Sequence, residues 1–253
     1  MAGQSAPGAS LVTRTLDVLA AFDRDHRRLR LTDIADRSGL TPPTALRIVR
    51  VLVAEGALER GADGRYVVGR RMWDLGLLAP VQTGLREAAA PFLQDLQATT
   101  RATVHLAERD GDQVLYLDRL SGVASVPVVS RVGARLPLHS TGVGKVLLAH
   151  APADVRDRVL RGLARQTPYT ITSAAVLEQQ LARVRRDGYA TTAEEMTLGA
   201  CSIAVPVRRG EEVVAALGVV VASLRGRTGL VSALQVAAEG VRRGLTSRHA
   251  APM

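Results

Sequence analysis

The 253-residue chain has a single cysteine, Cys201, and a single lysine, Lys145. One thiol excludes an intramolecular disulfide and any CxxC-type metal motif, which fits a reducing compartment. Long hydrophobic runs are missing too. The longest covers residues 213–224, well short of the roughly 20 apolar residues that cross a bilayer. The opening MAGQSAPGAS has no basic n-region or apolar h-region, so residues 1–9 are expected as a flexible tail on a soluble, cytoplasmic protein with no membrane association. His105, His139 and His150 fall in different segments without the short spacing of a zinc site and read as structural or surface residues. No metal or cofactor is expected.

What is present is ordinary for a folded protein: 47% hydrophobic and 23% charged residues, in a length that suits one large domain or two common ones. With lysine nearly absent, arginine carries the formal charge of +9. Its planar fork suits phosphate and guanine edges, which puts nucleic acid first among partners. A GC-rich gene produces the same bias, so the placement of the arginines has to decide.

Val12, Leu16, Leu19 and Ala20, at i, i+4, i+7 and i+8, predict a first helix with that stripe inward. Thr32 is the expected N-cap of a short second helix, with Ile34 and Ala35 inward and a stop at Gly39. Thr41 is expected to cap a third helix running to about Glu55, with Pro42 in its first position. Ala45, Ile48, Val49 and Leu52 would be buried, and Pro43, Arg47 and Arg50 turned outward. Two such helices joined by a glycine turn form a helix-turn-helix, whose second helix enters the major groove by its N-terminal residues. Thr44 and Arg47 are then candidates for reading bases, with Thr32, Thr41 and Pro43 beside them, and Arg50 is placed for phosphate. A plain helical hairpin with solvated arginines is the competing reading. Strand-like runs over 57–60 and 65–68 flank an Asp63-Gly64 turn and predict a wing, with Arg60 at its base and Arg65 at its tip available to phosphate.

The run LTDIADRSGLTPPTALRIVRVLVAEGALER, followed by DGRYVVGRRMWDLG, resembles the DNA-binding domain of the IclR family of regulators. The resemblance implies a linker helix from Arg71 to about Leu78, whose Met72, Leu75 and Leu78 share a face. The expected layout is thus a winged helix-turn-helix over 10–69, a linker over 70–82 and a second domain over 83–248.

In the second domain, periodicity predicts helices over 84–100, despite Pro91, and over 142–149, 153–163, 174–187 and 228–247. Strands are predicted over 103–109 and 113–120, joined about Asp110 and Gly111, and over 126–132, 189–192, 202–207 and 213–223. The pattern is α+β with a mainly antiparallel sheet. The segments VGARLPLHSTGVGKVLLAH and GYATTAEEMTLGACSIAVPV, among others, resemble the family's GAF-like effector domain.

The resemblance implies that a small-molecule effector, an organic acid or an aromatic or apolar metabolite, sits between a helix-opening loop and the sheet. The matching loop is Thr141, Gly142, Val143 and Gly144, whose amides would suit an anion. The glycines would equally permit tight packing. On the sheet side the matching positions are Thr192, Ala200, Ser202, Gly218 and Val220. Glyoxylate-sensing and pyruvate-sensing relatives carry aspartate at the position of Thr192, cysteine at Ser202 and serines at Gly218 and Val220. The changes imply a roomier, more apolar site, and Cys201, one position off, is expected to face away from it.

Enzymatic readings fail on the residues. The run Gly142 to Lys145 lacks the glycine and hydroxyl positions of a phosphate loop. His139 and Ser140 lack a nucleophile elbow. Glu194 and Glu195 are expected on opposite faces. The function expected is an effector-controlled regulator of a catabolic or metabolic operon, binding double-stranded operator DNA as a homodimer or dimer of dimers. Repression is the expected direction. The alternatives are a stand-alone sensor or interaction protein without DNA binding, and a hydrolase.

Overall fold

The computed structural model describes residues 10–23, 25–78 and 83–249. The expected tail over 1–9 and residues 79–82 of the expected linker lie outside them. The chain divides into two compact units, residues 1–81 and 82–253.

In the first unit, α1 (Leu11–Ala20), α2 (Leu31–Ser38) and α3 (Pro42–Ala54) pack around Val18, Ile34, Ile48, Val49 and Leu58. Gly39 adopts the left-handed conformation, φ 67°, and the Leu40 amide donates to the Ala35 carbonyl, closing α2 so that α3 starts three residues later. Two capping expectations change. Arg30, rather than Thr32, precedes α2, and its amide donates to Asp33 Oδ2 at 2.9 Å; Thr32 lies exposed in the first turn. Thr41 does precede α3, but its hydroxyl donates to that of Thr44 rather than accepting from a backbone amide.

The inward face of α1 is also corrected. Val18 is buried, whereas Val12 is 69% and Leu16 60% exposed. Only one turn of this helix meets α2 and α3, and Arg37 holds it there by donating to the Ala21 carbonyl and to Asp23. Strands β1 (Leu58–Arg60) and β2 (Tyr66–Val68) pair antiparallel, and Leu29 adds a bridge to Tyr66. Helix α4 (Arg70–Leu77) follows, with Met72 against the core and Arg71 2.6 Å from Glu55.

The second unit is built on one antiparallel sheet of order β5-β4-β3-β8-β7-β6. Its strands are β3 (Thr103–Asp110), β4 (Gln113–Leu120), β5 (Arg135–Pro137), β6 (Ala190–Ala193), β7 (Cys201–Arg209) and β8 (Glu212–Val221). Strand alternation splits the side chains between two layers. Val104, Leu106, Ile203, Val205, Leu217 and Val219 face α5 (Thr83–Thr100) and α9 (Arg227–His249). Ala107, Tyr116, Ala204 and Ala216 face α6 (Gly142–Ala149), α7 (Ala153–Arg161) and α8 (Ala174–Asp187). Helix α5 continues unbroken through the exposed Pro91. The strand expected over 126–132 is instead an irregular segment. It forms no ladder with the sheet, and the short β5 pairs with β4 in its place.

Helices α5 and α9 approach closely at Gly240, where a Cβ would lie 2.2 Å from the Phe92 ring. Gly240→Ala is therefore expected to destabilise the second unit by about 1–3 kcal/mol through overpacking. Urea denaturation checks this, and an unchanged midpoint would show that the ring moves aside freely.

Candidate functional site

The first candidate site is the outward surface of α3 and the wing. The apolar back of α3, Ala45, Ile48, Val49 and Leu52, is buried as its spacing predicts, and Pro43, Arg47 and Arg50 are exposed on the other side. Among the described residues, neither the Arg47 nor the Arg50 guanidinium has a hydrogen-bond or ion-pair partner. Both are thus available to an external anion. Arg60 and Arg65 flank the same turn rather than standing at base and tip, because the Gly61 amide donates to the Arg65 carbonyl and closes it. Asp63 accepts from Arg28 at 2.9 Å and from the Arg65 amide, which with the Arg28 charge holds its carboxyl below the usual range. Arg60 lies 5.6 Å over the Tyr66 ring.

The second is a cavity between the first turn of α6 and the sheet. All eight residues expected to line it do so: Thr141, Gly142, Val143, Thr192, Ala200, Ser202, Gly218 and Val220. The sheet register explains the convergence, since Thr192 pairs with Ser202, Ser202 with Val220, and Gly218 with both Ala204 and His105. Partners across a ladder share a face. Cys201 also borders the cavity, with its thiol 3.9 Å from the Ala222 carbonyl. The roominess attributed to Gly218 is corrected: a Cβ there would meet Val143 Cγ1 at 2.8 Å, so this glycine admits α6 rather than ligand. At Gly142 a Cβ would lie 2.5 Å from Ser202 Oγ.

The Thr141 hydroxyl accepts from the Gly144 amide, and the Thr141 carbonyl from the Lys145 amide. Helix geometry leaves the amides of Gly142 and Val143 without an intrahelical acceptor. Among the described residues they have no other partner. The remaining lining groups are polar but uncharged, including Ser140, the Thr192–Ser202 hydroxyl pair at 2.6 Å, and Ser130, or apolar, including Val128, Leu136 and Met196. His105 and Tyr116 line it as well, with ring centroids 4.9 Å apart in an edge-on contact. His105 is thus a cavity residue. Period-two alternation with Thr103 places it on the inner face, a signal available in the sequence; Ser130, Met196 and Thr197 sit on irregular segments that carry none.

Lys145 and Glu195 form a buried pair beside this cavity, and the sequence alone offered no sign of it. Lys145 Nζ lies 2.7 Å from both Glu195 oxygens and 2.6 Å from Gln180 Oε1, with the lysine side chain 1% exposed. Desolvation lowers the lysine and raises the glutamate from their ordinary values, and the partner's charge opposes each shift. Glu194 turns the other way, accepting from the Gly199 amide. Thr167 and Thr170 donate to the carbonyls of Glu194 and Glu195. The loop after β6, which carries Met196, Thr197 and Ala200 to the cavity, is therefore held at both charge and backbone. No group of three or more His, Cys, Asp or Glu is arranged to hold a metal among the described residues.

Two predictions follow from these buried groups. Lys145→Met leaves Glu195 buried without its partner and is expected to cost about 3–5 kcal/mol. Lys145→Met with Glu195→Gln should recover much of that in urea denaturation, and a single-variant loss below about 1 kcal/mol would show the pair dispensable. Burial, reinforced by Arg119, lowers His105 from 6.5 to about 3. The unfolded chain then binds one more proton over that interval, so the histidine's contribution is whole above 6.5 and declines as pH falls toward 3. At pH 5 the expected loss is about 2 kcal/mol. His105→Gln should flatten this part of the stability profile, and an unchanged profile would refute the assignment.

Comparison with known proteins joins the two sites. A family model described as "IclR helix-turn-helix domain" matches residues 11–62, and one described as "Bacterial transcriptional regulator IclR C-terminal" matches residues 79–242. The HTH-type transcriptional regulator XynR of Escherichia coli is 32% identical over 210 residues, covering 81% of this chain and 83% of that protein. The p-hydroxybenzoate hydroxylase transcriptional activator of Acinetobacter baylyi is 32% identical over 204 residues, covering 78% and 74%. A solved IclR homologue from Microbacterium hydrocarbonoxydans, complexed with 4-hydroxybenzoate, superposes with a TM-score of 0.88 at 36% identity, covering 94% of this chain and 100% of that one. Family members are regulators, not enzymes, and no described helix is long and apolar enough to cross a membrane. With a helix-turn-helix at one end and an effector-binding domain at the other, the chain belongs to the IclR family of bacterial DNA-binding transcriptional regulators.

Proposed function

We propose that this regulator binds an aromatic carboxylate of the 4-hydroxybenzoate class in the α6 cavity and, as a homodimer, places two α3 helices in successive major grooves of a palindromic operator. The observation that carries the effector reading is the lining: two amides without acceptors at the start of α6, facing walls that bear no charged side chain. A carboxylate there is stabilised by the helix terminus and by hydroxyls. Burial of a carboxylate or guanidinium of the protein would have opposed or overbound it. The solved homologue that holds 4-hydroxybenzoate supports the same class.

The dimer is supported by exposed apolar side chains within the first unit: Leu11, Val12 and Leu16 on α1 and Trp73 and Leu77 on α4. Self-association removes such surface from water. Thr44 and Arg47 read bases, with Thr32, Thr41 and Pro43 at the groove and Arg50, Arg60 and Arg65 on phosphate. Repression is the proposed direction, since it needs only occupancy of promoter DNA, and the protein acts in the cytoplasm, where that DNA is. A coupling of about 1–3 kcal/mol between effector and operator is enough for a useful response.

Fluorescence anisotropy with duplexes from the gene's own promoter region tests the reading. Arg47→Ala should weaken specific binding by about 1–3 kcal/mol, and 4-hydroxybenzoate should shift the wild-type isotherm. Salt-insensitive binding, or none, would favour a stand-alone sensor. Normal operator binding with no response to any aromatic acid would refute the effector class alone.

A further inference from the structure

His105 and Ser130 form a polar pair on the cavity wall that the carboxylate site does not use. Ser130 Oγ lies 2.9 Å from His105 Nε2, with the two residues 4% and 2% exposed. Among the described residues the other ring nitrogen, Nδ1, has no partner. The pair is amphoteric. If the serine donates to Nε2, its oxygen accepts from a ligand; if the imidazole donates to the serine, the serine proton is free to donate. Such a pair matches a hydroxyl, which both donates and accepts.

Its position fits the far end of a ring. Gly142 and Val143 rest over β7 and β8, at Ser202 and Gly218. His105 is on β3, beyond β8 and two residues along the register from Ser202, so the two are about 12 Å apart. One aromatic ring with polar groups at opposite ends bridges such a gap.

Charge narrows the match. His105 stays neutral because burial and the neighbouring Arg119, its partner across the β3–β4 ladder, both disfavour the imidazolium. Arg119 itself has a buried Nε with no hydrogen-bond partner and does not border the cavity. The wall at this end therefore presents a neutral hydrogen-bonding pair. No charged side chain borders the cavity at this end.

We infer that His105 and Ser130 form a specificity element that reads an uncharged hydroxyl on the effector, opposite its carboxylate. This rests on the carboxylate reading of the α6 cavity. A latch between the segment over 121–134 and the sheet would account for the bond itself, but a latch affects all ligands alike.

Isothermal titration of the full chain with 4-hydroxybenzoate and with 4-methylbenzoate, which has nearly the same shape but no hydrogen-bonding group, tests it. Wild type is expected to favour the hydroxy acid by about tenfold, the worth of one hydrogen bond to a buried group. Ser130→Ala and His105→Phe should each reduce that ratio at least threefold, with thermal melts confirming that the variants fold; if His105→Phe does not fold, Ser130→Ala decides. Equal wild-type affinity for the two acids would overturn the inference while leaving the cavity assignment intact. So would variants that weaken both acids in parallel. Binding of neither acid to wild type would overturn the carboxylate reading, and this inference with it.

Discussion

The first turn of α6 is seated on the sheet more closely than side chains would allow. A Cβ on Gly142 would lie 2.5 Å from Ser202 Oγ, one on Gly144 2.3 Å from the Leu138 carbonyl, and one on Gly218 2.8 Å from Val143 Cγ1. Two positions without a Cβ, Gly142 and Gly218, let the helix N-terminus touch a ladder face, and a third, Gly144, lets the helix close on the connection that leads into it. Every other feature of the cavity depends on that seating. It brings the free amides to the wall and sets them opposite the Thr192–Ser202 hydroxyls. The glycine-rich opening of α6 thus serves both readings offered by the sequence, tight packing and anion binding, because the first produces the second.

Elements with strong local signals were legible. The hairpin at Asp110-Gly111, the bounds of α6 and α8, and the buried face of α3 all follow from periodicity and turn residues that agree with their tertiary surroundings. The expectations that changed depended on non-local partners. Residues 126–132 alternate like a strand, yet a strand needs a neighbour with a free edge, and β5 takes that edge of β4. The α1 stripe reads as inward because Val12 and Leu16 repeat at helical spacing, but the second and third helices cover only the turn at Val18. Thr32 has the chemistry of a cap, but the cap position falls two residues earlier, at Arg30, whose amide the Asp33 carboxylate satisfies.

The site shows the same division. Its strand residues were readable because a period of two fixes which positions share a face, and that extends to His105. The residues on the loop after β6 were not, apart from Ala200 by resemblance. Their place is set by contacts far apart in sequence: Lys145 with Glu195, Thr167 with the Glu194 carbonyl, Thr170 with the Glu195 carbonyl. No local pattern announces a partner 50 residues away.

That buried pair also bears on what the cavity can recognise. An ion pair taken out of water returns little net stability, because desolvation offsets most of the Coulomb gain. What it supplies is geometry, tying α6 to the loop after β6, both of which line the cavity. Since Lys145 is neutralised by Glu195 and held by Gln180, its charge is not offered to the ligand. On the proposed reading the anion is then held by amides and hydroxyls, whose contributions are modest and directional. Affinity built from such contacts is sensitive to where each polar atom of the ligand lies. A single full charge would attract any acid of suitable size, whereas in the proposed arrangement two free amides at one end and the neutral His–Ser pair at the other would favour molecules with both groups at the right separation.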